Sequence, residues 1–259
     1  MALILVALAP LALAAWGGWL GLAGALLSAG LLYLFSTQLL LMTMLDNWRF
    51  SRAAALERDA AIENKCAEFK RAVAQRSKDF QAVSGGGDVV IAAHSLGAYF
   101  AAMTLGGALA EMKADQPAPG LMMAGSSLLK IALHPKAVRL RAAVGAIAQS
   151  QTRWLDVQSL TDVLNFYGAD PVTALGIAAT RPPVLQKVRF RHMLTPQTYR
   201  RIKLNWLRVH RQFVLAAERR TNYSFHMMLA GPFRFDEIME NRGLPSEFVM
   251  NPAMEGAGQ

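Results

Sequence analysis

The pattern of hydrophobic and polar positions divides the chain into three stretches. The first 45 residues contain no Asp, Glu, Lys, Arg or His. One helix of that length would measure about 68 Å, against a hydrocarbon core of ~30 Å. The pattern therefore predicts a hairpin of two transmembrane helices over 1–45, roughly Ala2 to Leu20 and Leu22 to Met44. Gly17, Gly18, Gly21 and Gly24 supply the turn, and Trp16 and Trp19 flank it at headgroup depth. Pro10 kinks the first span, which neighbouring helices tolerate in lipid. From Ser51 to Val83, Leu56, Cys66, Phe69, Val73 and Phe80 recur at helical spacing among charges, the signature of an amphipathic helix. "SGGGD" (84–88) ends it.

From Asp88 onward the period changes. "VVIAA" is a continuous apolar run, as in a parallel strand buried on both faces. "AYFAAMTLGGALAEM" follows as a helix. Gly120 to Pro135 reads as the next parallel strand, ending in Gly125 and Ser126, and Thr152 to Val172 as another strand with an acidic loop. At Pro196 a helix begins in which Tyr199, Ile202, Trp206, Val209 and Phe213 recur at three- and four-residue steps. Alternating strands and helices predict an α/β domain over 46–250, a partial parallel sheet flanked by helices. The last nine residues, 251–259, read as a disordered tail.

Charge adds location and partners. Arg49, Arg52 and Arg58 follow the second span, and positive flanks stay in the cytoplasm. The expectation is an integral protein of a bacterial inner membrane with its main domain cytoplasmic. The rival is a signal peptide followed by one anchor helix, but "MALILV" has no basic n-region. Net charge is +9, and between Asp170 and Glu218 nine Lys or Arg occur without a single acid. This basic helical insert, about 181–220, suits anionic lipid, with Arg200, Arg201 and Lys203 as the leading contacts. No spacing typical of nucleic-acid binding is present, so no nucleic-acid partner is expected. Cys66 is the only cysteine, which excludes an intrachain disulfide, and it reads as a core thiol. With no H-E-x-x-H, no paired cysteines and no phosphate-loop lysine, no metal or cofactor is expected.

The chemistry lies at Ala93, His94, Ser95, Leu96 and Gly97. After a buried strand and before a helix, G-x-S-x-G describes a serine on a strained turn, with small residues two positions to either side. Alanine stands here for the first glycine. The stretch resembles the α/β-hydrolase superfamily, especially its lipase-like and thioesterase-like members, and Gly125–Ser126 resembles a loop of the lipase-like ones. The resemblance implies a Ser–Asp–His triad in that chain order, acting on an acyl ester or thioester. Ser95 would be the nucleophile and the Leu96 N–H an oxyanion donor. Asp162, just past a strand, is the first choice of acid and Asp170 the alternate; Asp156 falls inside the strand. His226, near the domain's end, is the first choice of base and His210 the alternate. His94 adjoins the serine, His134 precedes the acid, and His192 falls in a predicted strand, "KVRFRHML". Placed beside a bilayer, the substrate class includes lipid-derived acyl groups.

The resemblance covers residues 52 to 235 at most. The family's earlier strands, which supply the second oxyanion donor, have no counterpart before Asp88. The chain is then a piece of a longer hydrolase, a minimal sheet that still works, or a membrane protein that keeps an inactive hydrolase-like scaffold for binding or assembly.

Overall fold

The computed structural model describes residues 18–38, 41–83, 89–112 and 118–250. These divide into two compact units, 1–53 and 54–259, a boundary eight residues beyond the expected end of the membrane segment.

In the first unit, α1 spans Gly18–Gln38 and α2 starts at Leu41 and ends at Leu56. The expected turn at Gly17–Gly24 is not seen where it is described: α1 runs unbroken through Gly21 and Gly24. Without charges or prolines to stop it, the helix starts four residues before the expected second span and ends six residues short of it. Most of the first span lies outside the described residues. Among the described residues no helix is long and apolar enough to cross a membrane.

The amphipathic helix expected from Ser51 to Val83 is two helices, α2 and α3 (Ala60–Val83). Glu57 breaks them apart with φ +54°, and Asp59 caps α3 by accepting from Ala61 N–H at 2.9 Å.

The second unit is α/β. Four strands, β1 (Val90–His94), β2 (Gly120–Ala124), β3 (Trp154–Ser159) and β4 (Val184–Val188), form one sheet in the order β1-β2-β3-β4. All pairings are parallel, with His94 opposite Ala124, Ala124 opposite Val157 and Val157 opposite Gln186. Parallel neighbours need crossover segments. These are α4 (Gly97–Leu109) after β1, α5 (Leu128–Ala132) and α6 (Val138–Gln149) after β2, and an irregular stretch with a 3-10 turn at Thr173–Leu175 after β3. Five short helices follow β4: α7 (Phe190–Met193), α8 (Pro196–Ile202), α9 (Trp206–Arg211), α10 (Phe225–Ala230) and α11 (Phe235–Glu240), with α12 (Ser246–Met250) last.

Side-chain alternation separates the two sheet faces. Met122, Ala124, Leu155, Val157 and Val188 point to one face and form a core with Phe190, Met193, Val209, Phe213, Tyr223 and Phe235 from the segments after β4. On the other face α4 covers Ala93. Beside α4 lies α6, so close that a Cβ on Gly106 would stand 2.7 Å from Ala143 Cα. Phe69 of α3 meets Phe100 of α4 edge-on, with ring centroids 5.9 Å apart.

The basic insert is not one continuous helix. Its first residues pair as β4, because "VLQKV" sits beside β3, and the strand expected around His192 is instead α7. Thr195 and Asn205 restart the helix twice, each accepting a backbone N–H three residues on.

Candidate active site

The site is built where parallel sheets commonly hold their chemistry, beyond the carboxyl ends of the strands. Ser95 follows β1 directly with φ +57°, one of three non-glycine residues in the left-handed region among those described. That conformation costs an L-residue roughly 1–2 kcal/mol and persists only when its surroundings enforce it. Here both backbone groups of the turn are tied to β2 and its loop: Ser95 N–H donates to Ala124 O at 3.3 Å, and Ser127 N–H donates to Ser95 O at 3.1 Å. The strand-to-helix packing is looser than the motif requires. A Cβ on Gly97 would touch Ala93 Cβ at an ordinary 3.9 Å, since alanine leaves room there. Leu96 and Gly97 open α4, where first-turn N–H groups have no intrahelical acceptor.

Asp162 lies three residues beyond β3 and is buried. Asn165 holds its loop in shape: the Asn165 side chain accepts from Ser159 N–H at 3.0 Å and donates to Ser159 O at 2.8 Å and to Asp162 O. Asp162 Oδ1 accepts from Leu164 N–H at 3.0 Å. The other oxygen, Oδ2, lies 2.8 Å from His210 Nδ1, and both side chains are almost wholly buried. A carboxylate only accepts, so Nδ1 carries the imidazole proton and Nε2 of a neutral His210 is a bare acceptor. Nε2 is buried and has no hydrogen-bond partner among the described residues, Ser95 Oγ included.

The second imidazole is His94. Its Nδ1 lies 2.8 Å from Ala124 O, which fixes the proton there. The ring packs against His210, centroids 4.6 Å apart and tilted by 35°. Burial holds His94 below the ordinary imidazole range, against the opposing effect of the Ala124 bond, and a charge on His210 would lower it further. Phe213 closes the back of the pair, 6.0 Å from the His94 ring and 6.2 Å from that of His210. Gly125 permits this: at φ +57° a Cβ there would stand 2.4 Å from the Phe213 ring. Tyr223 donates its hydroxyl to Phe213 O at 2.6 Å.

The structure thus brings together Asp162 and the alternate base His210, with the His94 ring packed on His210 and Ser95 and Leu96 next to His94 on the turn. His226 is placed elsewhere: it is exposed on α10, and its ring meets Phe225. Three histidines, His192, His210 and His226, follow β4, and chain order alone cannot choose among them. The alternate acid Asp170 accepts from Val172 N–H at 2.7 Å and Thr173 N–H at 3.0 Å, capping the 3-10 turn. Asp156 is buried within β3, where burial pushes its carboxyl up to about 7, against the Gln158 side-chain bond and with Asp170 adding to the rise. His134 caps a turn by accepting from Lys136 N–H, and His192 is exposed on α7. Cys66 is half-buried, and burial raises its thiol. Sequence reasoning missed three contributors: the His94 ring, Asn165 and Phe213. The signal for His210 was its place beside Val209 and three before Phe213, on the apolar stripe of its helix.

Compared with known proteins, the chain matches no family model, no curated protein and no solved structure.

Proposed function

We propose that the protein is a serine hydrolase that transfers the acyl group of an ester or thioester to water, on an α/β-hydrolase-like half-sheet. The observation that carries this reading is the buried Asp162–His210 pair at 2.8 Å, with His210 packed on His94, the residue before a serine in the left-handed conformation. Strand order supports it too, because nucleophile, acid and base follow β1, β3 and β4 in the order the resemblance implies.

In this reading His210 Nε2 takes the Ser95 proton as Oγ attacks the carbonyl carbon, and Asp162 holds the tautomer and stabilises the imidazolium. The N–H of Leu96 donates to the developing oxyanion. His210 then protonates the leaving alcohol or thiol, and water repeats the sequence on the acyl-serine. The Ser95–His210 bond forms when substrate settles, as catalytic bonds commonly tighten in the complex. A membrane location, with the domain cytoplasmic, rests on the uncharged first 45 residues and the arginines after them. It makes lipid-derived acyl groups the first substrates to test. Anionic lipid is the proposed surface for the basic segment.

A second reading, an inactive scaffold used for binding, is favoured by the unpaired His210 Nε2. A fluorophosphonate probe separates the two. Wild-type protein should be labelled, Ser95→Ala and His210→Ala should lose labelling, and His226→Ala should keep it. Folded wild-type protein that is not labelled overturns the hydrolase reading in favour of the scaffold.

A further inference from the structure

We infer that the rim of the Asp162–His210 site docks on an anionic bilayer, with the turn between α8 and α9 as its inserted tip. Leu204 and Trp206 stand on that turn, 84% and 59% exposed. Between them Asn205 is held in place by its cap on α9, accepting from Arg208 N–H at 2.9 Å. One exposed leucine means little. Here there is a second exposed apolar pair: Leu160 and Val163, 63% and 65% exposed, flank Asp162 on its loop. The Asp162–His210 bond joins that loop to α9, so the two exposed apolar pairs stand on the segments that lead into the tied pair.

Charge identifies the partner. Arg201, Lys203 and Arg208 are exposed around the tip. Among the described residues no carboxylate lies in ion-pair range of these three cations. The nearest acid in sequence, Glu218, is occupied at α8, accepting from Thr195 N–H and the Thr198 hydroxyl, both at 2.6 Å. An indole and a leucine ringed by unpaired cations match the headgroup layer of an anionic membrane. The apolar atoms enter the acyl boundary and the cations meet phosphates. Each cation near such a surface contributes about 1 kcal/mol, about fivefold in the docking equilibrium. Docking stands whether or not Ser95 is a nucleophile. If it is, acyl chains reach it from the bilayer without crossing water.

The test uses the full chain with Cys66→Ser, and an environment-sensitive fluorophore on a thiol introduced by Leu204→Cys. That side chain is almost free of contacts, so folding is unaffected. The reference is Glu240→Cys on α11, whose first turn is tied to the far end of the sheet by Arg153–Asp236 at 2.8 Å. Both proteins are reconstituted in phosphatidylcholine vesicles with or without phosphatidylglycerol. Expected is a blue shift at position 204 only, dependent on phosphatidylglycerol and largely lost on charge reversal of Arg201, Lys203 and Arg208. An unshifted label at 204, or an equal shift at 240, overturns the inference. So does a shift that follows protein density and ignores lipid charge, which would make the tip a contact between copies or with another protein.

Discussion

The two faces of the sheet are built on different plans. One is covered by α4 and α6, of 13 and 12 residues, which meet through Gly106 and Ala143 with no room for another carbon. The other is covered by helices of four to seven residues, held by polar ties such as Tyr223 to Phe213 O and Gln186 to Asn222 O at 3.0 Å. The first face fixes the strands by close packing. The second brings distant segments to one point and carries His210. Close packing and the candidate site thus occupy opposite sides of the same four strands.

The sharpest way to break this contrast is at the close-packed face. Gly106→Leu forces α4 away from the Ala143 backbone and should cost about 3 kcal/mol in urea unfolding. Its neighbour Gly107 faces only the flexible end of Lys70, at 3.2 Å. Gly107→Ala should therefore be neutral or gain up to about 0.8 kcal/mol of helix propensity. Equal losses at both positions would show that the helix contact is not the constraint.

A smaller effect should come from Asp156, buried in β3 with Oδ1 unpaired. Its folded carboxyl sits at about 7, above ~3.9 in the unfolded chain. Folding therefore favours the protonated form. The stability this contributes is complete below about pH 4, falls as pH rises towards 7, and is then flat. Between pH 5 and 7 wild type should lose about 2 kcal/mol relative to Asp156→Asn, read from urea midpoints along the pH series. Parallel curves would refute a buried, titrating carboxyl.

The smallest effect is at the elbow. Ser95→Gly removes the left-handed penalty and should raise stability by about 1 kcal/mol while abolishing probe labelling. A destabilised glycine variant would mean that Ser95 is held without strain.

Legibility in the sequence follows the same division. The strand before Ser95 and the turn itself could be read locally, because a continuous apolar run and "HSLG" are adjacent in the chain. Asp162 could be placed because it closely follows a strand. His210 was harder: 48 residues separate it from Asp162, and the arginines around it read as one basic helix. The caps at Thr195 and Asn205 that divide that helix were visible as residue types. Whether His210 or His226 turned inward depended on packing against Phe213, a tertiary fact. The expected turn glycines differ for the opposite reason, since glycines permit a turn but do not enforce one, and α1 runs on through Gly21 and Gly24.

The sheet order has a mechanical consequence. β1 lies at the edge, and among the described residues its only strand neighbour is β2. The Ser95 turn is therefore mounted like a cantilever, supported along one side by the β1–β2 ladder and from behind by α4. Its stiffness is that of a single row of backbone bonds. Any extended chain that completed the open edge would brace the turn without touching a single side chain of the site.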